Sequence, residues 1–213
     1  MNKKLKIKIC GINDNIAMSR ACNLNIDYIG LVFYKRSPRN VSLSKAKILL
    51  KYKNSYTKLV ALTVNPDDKL LESIYTNIKP DYFQLHGNEK PARCFEIKKK
   101  FNVKIIKALN VDNIKKLTYN LKDYRNLVNT FLFDSPAGIL PGGNGKKFNW
   151  KSLYNNNIKT DWLLAGGINA LNVEKAIKLT HAKGIDISSG IEISKGRKSP
   201  QLIENFIRRC RNI

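Results

Sequence analysis

Short apolar, β-branched runs alternate with polar, helix-forming stretches along the whole chain. This alternation is typical of parallel strands joined by crossover helices, because such strands are buried on both faces and read as short apolar runs. We count eight strand–helix pairs. The predicted strands are Leu5–Cys10, Tyr28–Phe33, Lys58–Val64, Tyr82–Leu85, Lys104–Leu109, Thr130–Phe133, Trp162–Ala165 and Gly184–Ser188.

The number of these pairs favours a closed barrel. A single-domain α/β chain with eight such units over residues 1–213 fits a (β/α)8 TIM barrel. A doubly wound open sheet is the alternative, but it usually has about five or six strands. No Gly-x-Gly-x-x-Gly follows the first strand, and no Gly/Ser-rich linker divides the chain. We therefore predict one closed barrel.

Capping residues mark the starts of the first three helices. Asn13 or Asp14 precedes the first helix, and Ser42 or Ser44 precedes the second. The segment Asn65-Pro66-Asp67 precedes the third. Such short polar side chains accept hydrogen bonds from the free N–H groups of a first helical turn.

The formal net charge of +23 is compatible with binding to nucleic acid. The lysines are scattered over nearly every predicted helix, however, and a compositional bias toward Lys, Asn and Ile explains the charge about as well. We expect no nucleic-acid partner, although a basic nucleic-acid-binding protein remains an alternative. A positive field would still attract a doubly anionic small substrate.

Membrane, export and metal-binding signals are absent from the sequence. No stretch approaches the roughly 18 to 20 apolar residues of a membrane span, and the start lacks an export signal. No Cys-x-x-Cys pair occurs, and there are only two histidines. We therefore expect a cytoplasmic protein without a metal site, a redox motif or a membrane partner. The cysteines are Cys10, Cys22, Cys94 and Cys210, of which the last three lie on predicted helices and are predicted to be packing residues.

The ends of the predicted strands carry unusual residues. In a closed barrel the loops after the strands converge on one face, where barrel enzymes place their active sites. Six of the eight strand ends have polar or glycine signatures. They are Cys10-Gly11, Arg36-Ser37-Pro38-Arg39, His86-Gly87, Asp134, Gly166-Gly167 and Ser188-Ser189-Gly190.

Cys10 and Asp134 are the candidates for proton transfer. A cysteine is more often a small buried hydrophobe, but Cys10 ends a strand close to Lys8, which could stabilise a thiolate acting as base or nucleophile. Asp134 leaves an almost wholly apolar strand, where burial would favour the protonated acid. A helix cap is the alternative for Asp134. The Gly-rich segment 141–145 that follows suggests a lid or substrate clamp.

The remaining candidates are binding residues. Gly166-Gly167 and Ser188-Ser189-Gly190 follow the seventh and eighth strands, where many barrels bind phosphate through backbone N–H groups. A tight turn is the alternative for an isolated Gly-Gly pair. Arg39 could pair bidentately with a substrate carboxylate or be a solvated surface arginine, and His86 could line the pocket or hold a loop.

Taken together, these motifs resemble the phosphoribosylanthranilate isomerase family over essentially the whole chain. Each piece is weak alone, but their number and order are specific. The matching segments are Lys8-Ile9-Cys10-Gly11-Ile12, Gly30-Leu31-Val32-Phe33 with Ser37-Pro38-Arg39, Gln84-Leu85-His86-Gly87, Phe133-Asp134, Gly142-Gly143-Asn144-Gly145 with Phe148-Asn149-Trp150, Ala165-Gly166-Gly167-Ile168, Asn172-Val173, and Asp186-Ile187-Ser188-Ser189-Gly190-Ile191-Glu192.

The resemblance implies an aldose–ketose isomerase of tryptophan biosynthesis that performs an Amadori rearrangement without cofactor or metal. It implies that Asp134 is the acid that opens the sugar ring and that Cys10, as thiolate, is the base at C2. Arg39 would meet the anthranilate carboxylate. The substrate pocket would include His86, Gly143 and Gly145. The phosphate would bind to Gly166, Gly167, Ser188, Ser189 and Gly190. A small phosphorylated substrate is the expected partner, and the chain is expected to be a monomer or a homodimer.

Three positions depart from the family pattern. The usual Gly-x-Lys-Asp is Gly196-Arg197-Lys198-Ser199 here, so the role of the missing acid is in question. The usual Phe-Asp-Trp is Phe148-Asn149-Trp150, and the usual Gly-Val-Phe-Val of the third strand is Ala61-Leu62-Thr63-Val64. None of these changes removes a proposed catalytic group.

Two other phosphate-binding barrels are the nearest enzymatic alternatives. A ribulose-phosphate epimerase would need metal-ligand histidines, which two histidines can barely provide. An indole-glycerol-phosphate synthase would need a catalytic lysine at strand ends where this chain has Cys10.

Overall fold

Eight parallel strands close into a barrel in sequence order. The structure is a computed structural model that describes residues 5–111, 121–135, 150–153, 158 and 160–213. The closed sheet confirms the predicted (β/α)8 barrel. Its strands are β1 (Lys6–Cys10), β2 (Tyr28–Val32), β3 (Lys58–Thr63), β4 (Tyr82–Leu85), β5 (Lys104–Asn110), β6 (Thr130–Asp134), β7 (Asp161–Leu164) and β8 (Gly184–Ile187).

Helices cover the outside of the barrel. Helical turns also occur at residues 121–124 and 150–153, in the connections after β5 and β6. Within the described ranges, no helix has both the length and the apolar character needed to cross a bilayer. The longer helices are α1 (Asn15–Asn23), α2 (Leu43–Leu50), α3 (Asp68–Ile78), α4 (Pro91–Phe101), α5 (Val173–Thr180) and α6 (Pro200–Arg211).

The first three helices begin at predicted capping residues. The Asp14 side chain accepts from the N–H of Ala17 at 2.8 Å, and Asp67 accepts from Leu70 at 2.8 Å. Ser42 caps α2 by accepting from Lys45 at 3.1 Å. Each such cap stabilises its helix by about 1 kcal/mol.

Strand side chains alternate between the helical layer and the barrel interior. Ile9, Phe131 and Phe133 are fully or almost fully buried in the main core cluster, together with apolar residues of the helices. A separate interior cluster fills the barrel and includes Tyr28, Val60, Tyr82, Ile106, Leu132 and Leu163. Cys22, Cys94 and Cys210 are buried in α1, α4 and α6, which confirms their prediction as packing residues.

The same alternation directs Cys10 and Asp134 into the barrel. Lys8 and Cys10 pair in register with Tyr28 and Gly30 of β2, and the Tyr28 side chain belongs to the interior cluster. Asp134 lies two residues after the interior residue Leu132. Both side chains therefore point inward at the carboxyl ends of their strands.

A short antiparallel hairpin follows β8, and the sequence did not predict it. It consists of β9 (Glu192–Ser194) and β10 (Arg197–Lys198). Gly196 between them has φ +85°, and a Cβ at this position would lie 2.7 Å from the carbonyl oxygen of Pro38. The hairpin therefore packs closely against the loop between β2 and α2.

Candidate active site

The described candidate residues all lie at one mouth of the barrel. Cys10 and Asp134 are the last residues of β1 and β6, whereas Asp134 was predicted to follow its strand. Arg39 lies in the loop after β2, and His86 comes directly after β4. Gly166-Gly167 and Ser188-Ser189-Gly190 follow β7 and β8. Gly143 and Gly145 lie outside the described residues.

Cys10 is buried beside two ammonium groups. Burial, as the largest effect, and the charge of Asp186 raise the pKa of the Cys10 thiol. The charges of Lys8 and Lys198 lower it. The resulting pKa lies above the ordinary value for a thiol. By contrast, no cation of the described residues lowers the pKa of Cys210, and burial alone raises the pKa of its thiol to about 12. Cys10 is thus a buried thiol whose thiolate has nearby cations to stabilise it.

Lys8 forms a buried ion pair with Asp186 across the β1–β8 junction. Their Nζ and Oδ1 atoms are 2.8 Å apart, and the side chains are 0% and 8% exposed. Burial lowers the pKa of Lys8, but the attraction of Asp186 and of Cys10 more than offsets this and raises the pKa above its ordinary value. Lys8 therefore remains a cation next to the thiol.

Gly30 leaves the space in which the Lys8 and Cys10 side chains meet. A Cβ at this position would lie 3.0 Å from the Cys10 sulfur and 3.3 Å from the Lys8 Nζ. Any side chain here would push against both functional groups. Gly30 has no positive φ, so the tight contacts with these two groups, and not its backbone conformation, favour glycine at this position.

Asp134 is buried and faces His86. Its Oδ1 accepts from the backbone N–H of Ser135 at 2.8 Å and lies 3.3 Å from the Ser135 hydroxyl. Its Oδ2 lies 3.4 Å from the His86 Nε2. The Gln84 amide nitrogen lies 2.9 Å from the His86 Nδ1 and can only donate. Among the described residues, the buried His86 Nε2 has no hydrogen-bond partner.

Arg39 is buried and already holds a carboxylate of this chain. Its Nε and one Nη nitrogen bind the two carboxylate oxygens of Glu192 at 2.7 and 2.8 Å. It is 4% exposed, so the alternative of a solvated surface arginine is wrong. Gly11, with φ +76°, packs on the same side chain, because a Cβ there would lie 2.5 Å from the Arg39 Cδ.

The two glycine-containing loops after β7 and β8 contact each other. Gly166 and Gly167 adopt positive φ angles of 82° and 66°, which favour glycine. A Cβ at Gly190 would lie 2.1 Å from the carbonyl oxygen of Ile168. The loops after β7 and β8 therefore lie directly against each other at this mouth of the barrel.

The side chains of Ser188 and Asn172 stabilise these loops through hydrogen bonds to backbone groups. The Ser188 hydroxyl donates to the Cys10 carbonyl at 3.0 Å, which ties β8 to β1. The Asn172 amide donates to the Gly167 carbonyl at 2.8 Å and accepts from the Asn169 N–H at 2.9 Å. The Ser188 hydroxyl is thus engaged by other groups of the protein.

Ser199 has a structural function that accounts for one departure from the family pattern. It is the N-cap of α6, and its hydroxyl accepts from the N–H of Leu202 at 3.3 Å. Serine and aspartate are similarly good N-caps. The substitution of the usual acid therefore keeps this capping role. Asn149 lies outside the described residues.

Comparison with known proteins decides the family. A family model described as N-(5'phosphoribosyl)anthranilate (PRA) isomerase matches residues 7–209. The chain belongs to this family. The N-(5'-phosphoribosyl)anthranilate isomerase of Parvibaculum lavamentivorans is 41% identical over 210 residues, which cover 96% of this chain and 97% of the relative. That of a Chelativorans species is 39% identical over 206 residues, covering 95% and 94%.

Solved phosphoribosylanthranilate isomerase structures share the same barrel. The enzyme from Thermotoga maritima superposes with a TM-score of 0.88 at 26% identity, covering 98% of this chain and 100% of that one. A complex of a phosphoribosyl anthranilate isomerase with reduced 1-(o-carboxyphenylamino)-1-deoxyribulose 5-phosphate gives a TM-score of 0.85 at 26% identity, with the same coverage. These matches confirm the resemblance inferred from the motifs.

Proposed function

We propose that this chain converts N-(5-phospho-β-ribosyl)anthranilate into 1-(2-carboxyphenylamino)-1-deoxyribulose 5-phosphate, the Amadori rearrangement of tryptophan biosynthesis. The observation that carries the proposal is the inward placement of Cys10 and Asp134 at one barrel mouth, in a chain of the phosphoribosylanthranilate isomerase family. The related structure bound to a reduced form of this product supports the same chemistry.

Asp134 acts first, as the general acid. Its carboxyl donates a proton to the furanose ring oxygen while the bond between C1 and that oxygen breaks. The lone pair of the anilino nitrogen forms the C1=N bond of an iminium. Asp134 becomes a carboxylate, and the Ser135 N–H, 2.8 Å from Oδ1, stabilises it.

Cys10 acts second, as the general base. Its thiolate removes the proton from C2, and the electron pair of that bond forms the C1=C2 double bond of an enolamine while the iminium nitrogen becomes neutral. Protonation at C1 and loss of the hydroxyl proton at C2 then give the ketone. Lys8 favours the thiolate by its charge. Each such proton transfer typically contributes about 10²- to 10⁴-fold to the rate.

Binding groups surround these two residues. The substrate phosphate is held by backbone N–H groups of Gly166, Gly167 and the Ser188–Gly190 segment, and the anthranilate carboxylate meets Arg39. His86 lines the pocket beside Asp134. Gly143 and Gly145 complete the proposed pocket.

The reaction is an internal redox exchange, so it needs no external oxidant or reductant. We further propose that no cofactor or metal takes part, because side chains supply both proton transfers. The chain is proposed to work in the cytoplasm as one unit over residues 1–213, as a monomer or a homodimer. One solved structure contains monomers generated from the dimeric phosphoribosylanthranilate isomerase of Thermotoga maritima.

The scattered surface charge is assigned no nucleic-acid function. Random oligonucleotides at physiological salt are therefore expected to show no electrophoretic shift with the purified protein. Tight, salt-sensitive binding would contradict this assignment.

The isomerase activity is tested by following the fluorescence of phosphoribosylanthranilate with purified protein. The fluorescence should fall at a rate proportional to protein concentration, well above spontaneous decay, and chromatography should identify the aminoketose product. Loss of substrate no faster than in buffer would overturn the proposed function.

A further inference from the structure

The Arg39–Glu192 pair belongs to a larger buried charge cluster. The Lys198 Nζ donates to the Glu192 Oε1 at 2.7 Å, and the Gly196 N–H donates to its Oε2 at 3.1 Å. Glu192 thus accepts four hydrogen bonds, two of them from Arg39. The side chains of Arg39, Glu192 and Lys198 are at most 5% exposed.

This cluster contains two basic side chains and one carboxylate. Arg39 and Lys198 lie against the single carboxylate of Glu192. Burial lowers the pKa of Lys198 below its ordinary value, although the pairing with Glu192 works against this. Burial raises the pKa of Glu192, but Arg39 and Lys198 more than offset this and hold it below its ordinary value, so Glu192 remains anionic. The guanidinium of Arg39 favours a second carboxylate as a ligand.

Part of the Arg39 guanidinium is left for such a ligand. Glu192 occupies Nε and one Nη nitrogen. Among the described residues, the other Nη nitrogen has no hydrogen-bond partner. A guanidinium is planar and rigid, so fixing one edge fixes the direction of the remaining N–H groups.

We propose that Glu192 is a positioning residue that orients Arg39 toward the substrate carboxylate, and that Lys198 helps to hold the Glu192 side chain in place. The inference rests on the proposed function, because it takes the anthranilate carboxylate as the ligand of Arg39. Glu192 acts through Arg39 and does not touch the substrate.

Preorganisation is the physical reason for this arrangement. A free arginine side chain samples many rotamers. A ligand that fixes it in one rotamer binds less tightly, because part of the binding free energy offsets the lost conformational entropy. Glu192 holds the side chain in place before the substrate arrives. The substrate is then bound by a group that is already ordered.

The hairpin that carries Glu192 has other anchors, so its fold does not depend on this carboxylate. The Asn13 amide donates to the Gly196 carbonyl at 2.8 Å. The Ser199 N–H donates to the Ile191 carbonyl at 2.9 Å. We therefore expect the Glu192→Gln variant to fold.

A double-mutant cycle tests the coupling of Glu192 to Arg39. Arg39→Ala is expected to raise the KM for phosphoribosylanthranilate by about 10- to 100-fold, and Glu192→Gln by about 5- to 20-fold, with kcat within about threefold of wild type. In the Arg39→Ala background, Glu192→Gln should change KM by less than about twofold. If Glu192→Gln raised KM by the same factor in the Arg39→Ala background as in wild type, the two residues would act independently and the inference would be overturned.

Glu204→Gln is the matched control. Glu204 also pairs with two cations, Arg20 and Arg208, but it lies on α6 in the outer helical layer. Its loss should leave KM and kcat unchanged. Glu192→Asp, which keeps the charge but shortens the side chain, should also raise KM. A wild-type KM in both single variants, Glu192→Asp and Glu192→Gln, would contradict the positioning role.

Ligand affinity separates orientation of Arg39 from general damage. Wild type should bind reduced 1-(o-carboxyphenylamino)-1-deoxyribulose 5-phosphate more tightly than its analogue without the carboxyl group. Glu192→Gln should weaken binding of the first ligand and change the second by less than about twofold. Equal weakening of both would overturn the inference. If wild type turns over the substrate but does not discriminate the ligands, the carboxylate role of Arg39 fails while the isomerase function stands.

Discussion

Lys8 and Cys10 lie two residues apart on β1, and the charge of the Lys8 ammonium lowers the pKa of the Cys10 thiol inside the barrel. Asp186 holds the same ammonium from the neighbouring strand, 2.8 Å away. The proposed base is therefore adjacent to a cation whose own position is fixed by a buried carboxylate. Its protonation should depend on that cation.

Lys8→Met should move the pH profile of kcat. Removing the cation leaves burial and Asp186 to raise the pKa of Cys10 further, with only Lys198 still lowering it. Since the thiolate is the active form, the rising limb of the profile should shift to higher pH, with turnover partly recovered in alkaline buffer. Steady-state kinetics across pH would measure the shift.

Lys107→Met is the matched control for this variant. Lys107 is another buried lysine paired with a carboxylate, but it lies on the helix-facing side of β5, with its Nζ 2.8 Å from the Glu89 Oε2. Either change leaves a buried carboxylate unpaired and should cost about 3 to 5 kcal/mol of stability. Only Lys8→Met should shift the rising limb, and a matching shift in both would argue against a specific effect on Cys10.

Gly30→Ala should impair turnover more than it impairs folding. The added methyl group would lie 3.0 Å from the Cys10 sulfur and 3.3 Å from the Lys8 Nζ, so both must move by a few tenths of an ångström. We expect kcat to fall by about tenfold, because catalysis depends steeply on the position of the base. Gly184→Ala, whose Cβ would press on Leu163 at the other end of the barrel, should leave kcat unchanged. A wild-type kcat for Gly30→Ala would show that the site has more room than the geometry indicates.

Asp134→Asn should lower kcat by more than about a hundredfold while the fold survives. The amide cannot supply the proton that opens the sugar ring. Asp161→Asn is the control, since Asp161 begins β7 at the opposite end of the barrel and makes an exposed ion pair with Lys6. Near-normal turnover by purified Asp134→Asn would remove this residue from the acid role.

Ser199 variants should affect stability and not catalysis. Ser199→Ala removes the α6 cap and should lower the free energy of unfolding by about 1 kcal/mol. Ser199→Asp, which restores the usual family residue, should retain the cap. Thermal denaturation and steady-state kinetics would check both variants. A large loss of kcat in Ser199→Ala would show that this position has a role beyond capping.

The barrel was predictable because its signals are local. The eight predicted strands agree with the observed ones to within one residue at each end. Apolar periodicity fixes the strands, and capping side chains such as Asp14 and Ser42 fix helix starts. The strand ends then indicated where Cys10 and Asp134 would lie.

The charge network was not predictable, because it depends on contacts between distant parts of the chain. Arg39 and Glu192 are separated by 153 positions, and Lys8 and Asp186 by 178. Strand alternation could have placed Asp186 inside the barrel, but not its pairing with Lys8. The β9–β10 hairpin is too short to give a periodic signal, so the partner of Arg39 appeared only in the structure.

The central claim is that Cys10 is the base that removes the C2 proton. The most direct measurement is kcat for phosphoribosylanthranilate in Cys10→Ser, compared with Cys22→Ala, which changes a buried packing cysteine of α1. We expect kcat to fall by more than about a hundredfold in Cys10→Ser and to stay near wild type in Cys22→Ala, with unchanged circular dichroism in both. Near-wild-type turnover in folded Cys10→Ser would contradict the account.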